Sequence, residues 1–189
     1  MKMKVRSLIT MSLIAGSLIL TSCGDDKKEN NEQVSEEKLE MSDHSEDMKS
    51  EKVSEEANAE FSDQNVTQAY EEYLSVKDAL VRTNAAAAGK SAQNLQNTLT
   101  EAQPEIAEIA GKLVETEDVN VQREIFSELT AAMEPVLKEA ISSGKIYKQF
   151  CPMAFEGKGD YWYSNSEEIR NPYFGDKMLK CGRVDNTIM

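Results

Sequence analysis

Asp118-Val-Asn-Val-Gln-Arg-Glu-Ile-Phe-Ser-Glu-Leu-Thr-Ala-Ala-Met-Glu-Pro-Val-Leu-Lys-Glu-Ala-Ile141 is the stretch whose reading decides the fold. Its apolar residues Val121, Ile125, Leu129, Ala132, Met133, Val136, Leu137, Ala140 and Ile141 recur every three or four positions. That period places them on one stripe of a helix and does not suit a strand, whose side chains alternate faces. Asp118 can cap the first turn, and Gly144 is a fitting C′ residue beyond the last. Pro135 inside the run predicts a kink, because it lacks an N–H for the ladder and crowds the preceding turn.

The same period continues upstream. Pro104 suits the first turn of a helix bearing Ile106, Ile109, Ala110, Leu113 and Val114. Before it, Ala88, Ala92, Leu95, Leu99 and Ala102 form another face, with Asn84–Gly89 expected as a junction of small residues. Ser62 or Asp63 would cap a first helix whose stripe is Val66, Ala69, Tyr70, Tyr73, Leu74, Lys77, Leu80 and Val81. Lys77 on that stripe would have to carry its amine to the surface. Roughly 85 residues of amphipathic helix with short joints predict a mainly α fold, an antiparallel bundle of about four helices. Its faces are rich in alanine, so the helices should approach closely around a thin core.

Downstream of Gly144 the helical period ends. Residues 145–189 hold eight of the chain's twelve aromatics: Tyr147, Phe150, Phe155, Tyr161, Trp162, Tyr163, Tyr173 and Phe174. They predict a second small core inside a loop-rich, short-β cassette. Glu156–Asp160 reads as a turn between extended pieces, and Ser164–Ile169 as a capped single turn of helix. Asn171-Pro172 favours a further turn, with Gly175 free to take a left-handed conformation.

The other end of the chain reads as delivery. Lys2, Lys4 and Arg6 precede the apolar run Leu8–Leu20, too short to span a bilayer comfortably, and Leu20-Thr21-Ser22 leads into Cys23. Leu-Thr-Ser-Cys resembles the lipobox of bacterial lipoproteins. The resemblance implies a signal peptide over 1–22, cleavage before Cys23, and attachment of palmitate-like acyl chains to that cysteine. The mature chain is then expected outside the cytoplasm, held to a membrane of the cell envelope on its periplasmic or surface side.

Between anchor and bundle the composition changes sharply. Gly24–Glu60 holds 14 acidic and 5 basic residues and almost no large apolar ones. Residues 23–60 are therefore expected to be a solvated tether, and the folded domain to occupy 61–189. With a net charge of −13, nucleic acid is excluded as an expected partner, since phosphate binding needs clustered Lys and Arg.

Several chemistries lack their residues. The single histidine, His44, lies in the tether, and no His-Glu-x-x-His, glycine-rich phosphate loop or Cys-x-x-Cys occurs. An enzyme is therefore not expected. What the cassette does carry is sulfur. Cys151-Pro-Met153 would present both sulfurs on one face of an extended segment, and Met178 and Cys181 would be neighbours across a helical turn. Two thiolates with two thioethers suit a soft cation such as Cu(I) and serve Mg, Ca or Mn poorly. In an oxidising compartment the same two cysteines, 30 residues apart, are equally the partners of a disulfide. Met41, His44 and Met48 form a second, weaker candidate metal set in the tether, at spacings that would share a face of a transient helix.

The phrases Cys-Pro-Met-Ala, Gly-x-Tyr-Trp, Glu-Ile-x-Asn-Pro-Tyr-Phe-Gly and Met-Leu-x-Cys-Gly are similar to a family of bacterial envelope lipoproteins with a domain of unknown function (DUF3347-like). The resemblance runs over roughly 70–188, with its specific part at Cys151–Gly182. In that family the domain also occurs attached to periplasmic adaptors of copper and other heavy-metal efflux systems, which implies metal handling with such an adaptor as partner. Tyr147 and Cys151-Pro-Met153 also resemble a Tyr-x-Cys-Pro-Met-His-Pro heavy-metal box. The chain departs from that box at Ala154, which stands where the histidine would be, and in the three residues separating Tyr147 from Cys151.

Overall fold

A computed structural model describes residues 58–189. A short strand β1 (Glu60–Phe61) leads into four helices, α1 (Gln64–Val81), α2 (Ala85–Leu99), α3 (Pro104–Val114) and α4 (Val119–Ala140). Each helix packs on the next, and α1 also meets α4, which closes the four into a bundle. The starts are chemically marked. Asp63, Asn84 and Asp118 each accept a backbone N–H of the first turn through the side chain, and Pro104 opens α3. Asn84 as a cap draws Ala85–Ala88 into α2, so the expected small-residue junction shrinks to Arg82–Asn84.

Helix α4 carries the main correction to the sequence reading. Its inward face holds Gln122, Arg123, Phe126, Leu129, Thr130, Met133, Leu137 and Ala140, while Val121 is 40% exposed. An apolar stripe misses this face because three of its members are polar and each has found partners. Gln122 Nε2 donates to the carbonyls of Ala85, Leu113 and Thr116, gathering three helix ends. Thr130 shares a 2.8 Å hydrogen bond with Tyr73 of α1. Buried polar groups are tolerated where they are paired. Pro135 lies within α4, which runs on to Ala140. Lys77 does not reach the surface as expected: its side chain is 6% exposed and its amine sits 3.0 Å from Asp78 Oδ1.

The helix ends directly in strand β2 (Ile141–Ser143), which pairs antiparallel with β1. Gly144 is therefore the turn after β2 and not the helix C′. Its φ is +75°, and a Cβ there would lie 1.8 Å from the carbonyl oxygen of Asn58, so only glycine fits. The cassette follows as β3 (Ile146–Cys151), a tight turn at Ala154–Gly157 in which Phe155 and Glu156 take left-handed φ of 48° and 60°, β4 (Asp160–Ser164) and, after a long loop with a 3₁₀ turn at Gly175–Lys177, β5 (Arg183–Ile188). Its sheet is antiparallel in the order β4-β3-β5. Ser164–Ile169 is not helical. Ser164 and Ser166 instead each accept the backbone N–H two residues on, giving two consecutive serine turns.

The cassette has no separate core. Tyr163 packs on Tyr73 and Tyr173 on Phe126, with ring centroids 6.2 and 6.1 Å apart, and Tyr163 N–H donates to the Tyr73 hydroxyl. One continuous apolar cluster runs from Val66 to Ile188. Among the described residues no helix is long and apolar enough to cross a membrane.

The outer side of the joint is polar. Glu134 of α4 accepts from Lys138, from Lys148 of β3 and from the hydroxyl of Tyr161 of β4, at 2.6, 3.2 and 2.9 Å. Burial pulls this carboxyl's pKa up, but the three donors outweigh it and hold the group down to about 2. The depressed value stabilises the fold above the ordinary carboxyl pKa, and that stability is lost as pH falls through about 2. After discounting for solvent screening, Glu134→Gln should cost about 1–2 kcal/mol at pH 7. Paired thermal melts of wild type and variant should converge between pH 4.5 and 2. A gap that stays constant down to pH 2 would refute the assignment.

Candidate functional site

Cys151 ends the central strand of the cassette sheet, opposite Asp160 of β4. Cys181 arrives from the far side of the 165–182 loop, two residues before β5 returns to pair with the same central strand. What brings the second cysteine in is Asn171. This buried side chain accepts the N–H groups of Tyr173 and Phe174 and donates to the carbonyl of Cys181 at 2.7 Å, while its backbone N–H binds Leu179 O. One residue thus ties down both ends of an eleven-residue loop. Sequence reasoning read Asn171-Pro172 only as a turn; the asparagine's capacity for three side-chain bonds was the signal available.

The loop is also bolted to the bundle. Arg123 of α4 donates to Pro172 O at 2.9 Å and to Leu80 O and Thr83 Oγ1 at 3.3 and 3.2 Å. Burial lowers the pKa of this guanidinium. Gly175, as expected, is left-handed with φ +57°; a Cβ there would lie 2.4 Å from Thr83 Oγ1 and 2.9 Å from Arg123 Nη2. The cassette therefore sits against the end of α1 with no space to spare.

The result is a sulfur pair. Cys151 Sγ and Cys181 Sγ are 2.7 Å apart, both as free cysteines, with Cys151 wholly buried and Cys181 partly exposed. The hydrogen bond shared with Cys151, together with burial, pushes the Cys181 thiol pKa up, against a smaller lowering influence of the Met153 backbone N–H. Met178 accepts the Cys181 N–H through its carbonyl at 3.0 Å, in a turn and not in the helix expected there. The segments of all four candidate ligands thus adjoin. Both methionine side chains face outward, Met153 53% and Met178 38% exposed. Among the described residues no three His, Cys, Asp or Glu side chains converge as a metal cage. Cys23, Met41, His44 and Met48 lie outside the described residues.

Residues 69–144 match the DUF3347 family, whose description is a protein of unknown function. The DUF3347 match runs from within α1 to the turn after β2, so it coincides with the helical bundle. It stops seven residues before Cys151 (144 against 151), and the sulfur-bearing cassette lies beyond it. Neither a curated protein nor a solved structure matches the chain.

Proposed function

We propose that this chain is a lipid-anchored envelope protein whose C-terminal cassette is stapled by a Cys151–Cys181 disulfide and docks on an envelope partner. The 2.7 Å approach of the two sulfurs carries the reading. Two thiolates on one tetrahedral metal at about 2.3 Å would stand about 3.8 Å apart, so this pair is closer than metal ligands and well inside van der Waals contact. Their separation of 30 residues in sequence suits a staple for a loop-rich segment. The anchor rests on the lipobox at Cys23 and the extracytoplasmic setting that it implies. A heavy-metal efflux adaptor is the partner that the family resemblance implies.

A second reading has its own support in the outward thioethers. Met153 and Met178 are two of five large apolar side chains exposed among the described residues, and both flank the cysteine pair. In the reduced state the four sulfurs form a soft donor set for Cu(I). One sample separates the readings. Digestion of the chain taken from the envelope, with free thiols blocked and no reductant, should yield a cross-linked peptide pair containing Cys151 and Cys181. Full labelling of both thiols would sink the staple. The reduced chain, with Cys23→Ser, is then titrated with Cu(I) against a competing chelator. Stoichiometric uptake that disappears in Cys151→Ser/Cys181→Ser supports the metal site; competition no better than that variant's removes it. A parallel deletion of 41–48 reports on Met41, His44 and Met48.

A further inference from the structure

The two sulfurs of the pair are not equivalent. Cys151 lies at the end of a central strand, flanked by β4 and β5, with no exposed surface. Cys181 lies in a loop and is partly exposed. Thiol–disulfide exchange requires approach along the axis of the bond being broken, so an enclosed sulfur is shielded and an open one is attacked.

We propose that Cys181 is the exchange sulfur of the cassette and Cys151 its resolving sulfur, and that the reduced pair stoichiometrically reduces low-molecular-mass disulfides. The steps balance. The Cys181 thiolate attacks one sulfur of R–S–S–R; a Cys181–S–R mixed disulfide forms, the R–S–S–R bond breaks and one R–S⁻ departs. Cys151 then attacks Cys181 Sγ across the 2.7 Å gap, forming the Cys151–Cys181 bond and expelling the second R–S⁻. The Cys151 proton passes to a departing thiolate. Two electrons move from the cassette to the small disulfide, which is the oxidant. Regeneration runs the same steps backward with two equivalents of a small thiol, again entering at Cys181.

This polarity differs in origin from a Cys-x-x-Cys site. There both sulfurs share one helical turn, whereas here the sheet and the Asn171 loop bring together two sulfurs 30 residues apart. The strand that carries Cys151 cannot open without losing its pairing to both neighbours. Access through Cys181 alone follows from that enclosure.

The inference rests on the two sulfurs forming one redox pair, as the staple does, but it has a different readout. The probe is 5,5′-dithiobis(2-nitrobenzoate), added to the reduced chain carrying Cys23→Ser. Cys151→Ala should react at least about tenfold faster than Cys181→Ala and should retain the adduct. The chain with both cysteines should release two thionitrobenzoates per reagent consumed and retain no adduct. Equal or reversed rates, or two stable adducts on the dithiol, overturn the proposal. If an alanine variant fails to fold by circular dichroism, limiting iodoacetamide on the unaltered pair followed by peptide mapping decides: Cys181 labelled first supports it, Cys151 first refutes it. A chain whose envelope form lacks the disulfide but shows this order loses the staple and keeps the exchange polarity. A disulfide present with the reverse order has the opposite meaning.

Discussion

Trp162→Ala should destabilise the folded chain by about 3–5 kcal/mol, with the helices and the cassette unfolding in one shared transition. Trp162 is the largest fully buried side chain of the described residues. It lies edge-on to Tyr173, ring centroids 6.0 Å apart, and Tyr173 in turn packs on Phe126 of α4. Gly182 closes over it, where a Cβ would stand 3.0 Å from the indole. Truncation therefore opens a cavity beneath the loop that delivers Cys181, between rings contributed by both halves of the fold. Guanidinium melts followed by far-ultraviolet circular dichroism for the helices and by hydrogen exchange of the β3 amides for the cassette should move together. A loss confined to the cassette signal, with the helical transition unshifted, would show that the aromatic contacts do not couple the two. Trp162→Phe is the informative control. The indole Nε1–H is buried without a partner among the described residues, so phenylalanine removes an unsatisfied donor while keeping most of the apolar volume. Its cost should be less than half that of alanine.

How far the fold could be read beforehand depends on what each residue type specifies alone. Asp63, Asn84, Pro104 and Asp118 mark helix starts through local chemistry, and three of the four were legible as such. Asn84 was not, because the four alanines after it read as a flexible joint and a cap is recognised only with its helix. The α4 face was misread for a different reason. Gln122 and Arg123 are inside because carbonyls from other helices and from the cassette loop meet them, and Thr130 because the Tyr73 hydroxyl does, and such partners are far apart in the chain. Periodicity counts apolar residues and cannot see a satisfied polar one. The cysteine pair was legible as a pair from there being just two cysteines besides Cys23 and from their 30-residue spacing. Its asymmetry was not, since the central place of β3 in the sheet and the reach of Asn171 to Cys181 are products of topology. The separate cassette core failed similarly: eight clustered aromatics look self-sufficient until Tyr73 and Phe126 are seen among them.

Oxidising the Cys151–Cys181 pair should stabilise the chain by about 3–4 kcal/mol relative to the reduced form, the loop-closure value for a 30-residue loop. The sulfurs already stand at 2.7 Å in the thiol form, so the native state has little rearranging to do and the main change falls on the unfolded chain. The comparison belongs between redox states of one sequence and not between wild type and Cys→Ser. Cys151 is fully buried, and a serine hydroxyl there would add its own desolvation cost to the lost bridge. Melts of oxidised and phosphine-reduced protein, each with Cys23→Ser, therefore isolate the staple. A difference below about 1 kcal/mol would mean that the loop stays ordered in the unfolded chain or that the pair does not bridge. The soft-metal reading makes the opposite demand on the same instrument. Cu(I) bound by the reduced native site raises stability as the logarithm of its free concentration over Kd, so the reduced melt should climb with added Cu(I) and the oxidised melt should not. If neither oxidation nor Cu(I) moves the reduced transition, the cysteine pair is a packing contact, and the stability of the loop rests on Asn171 and Arg123.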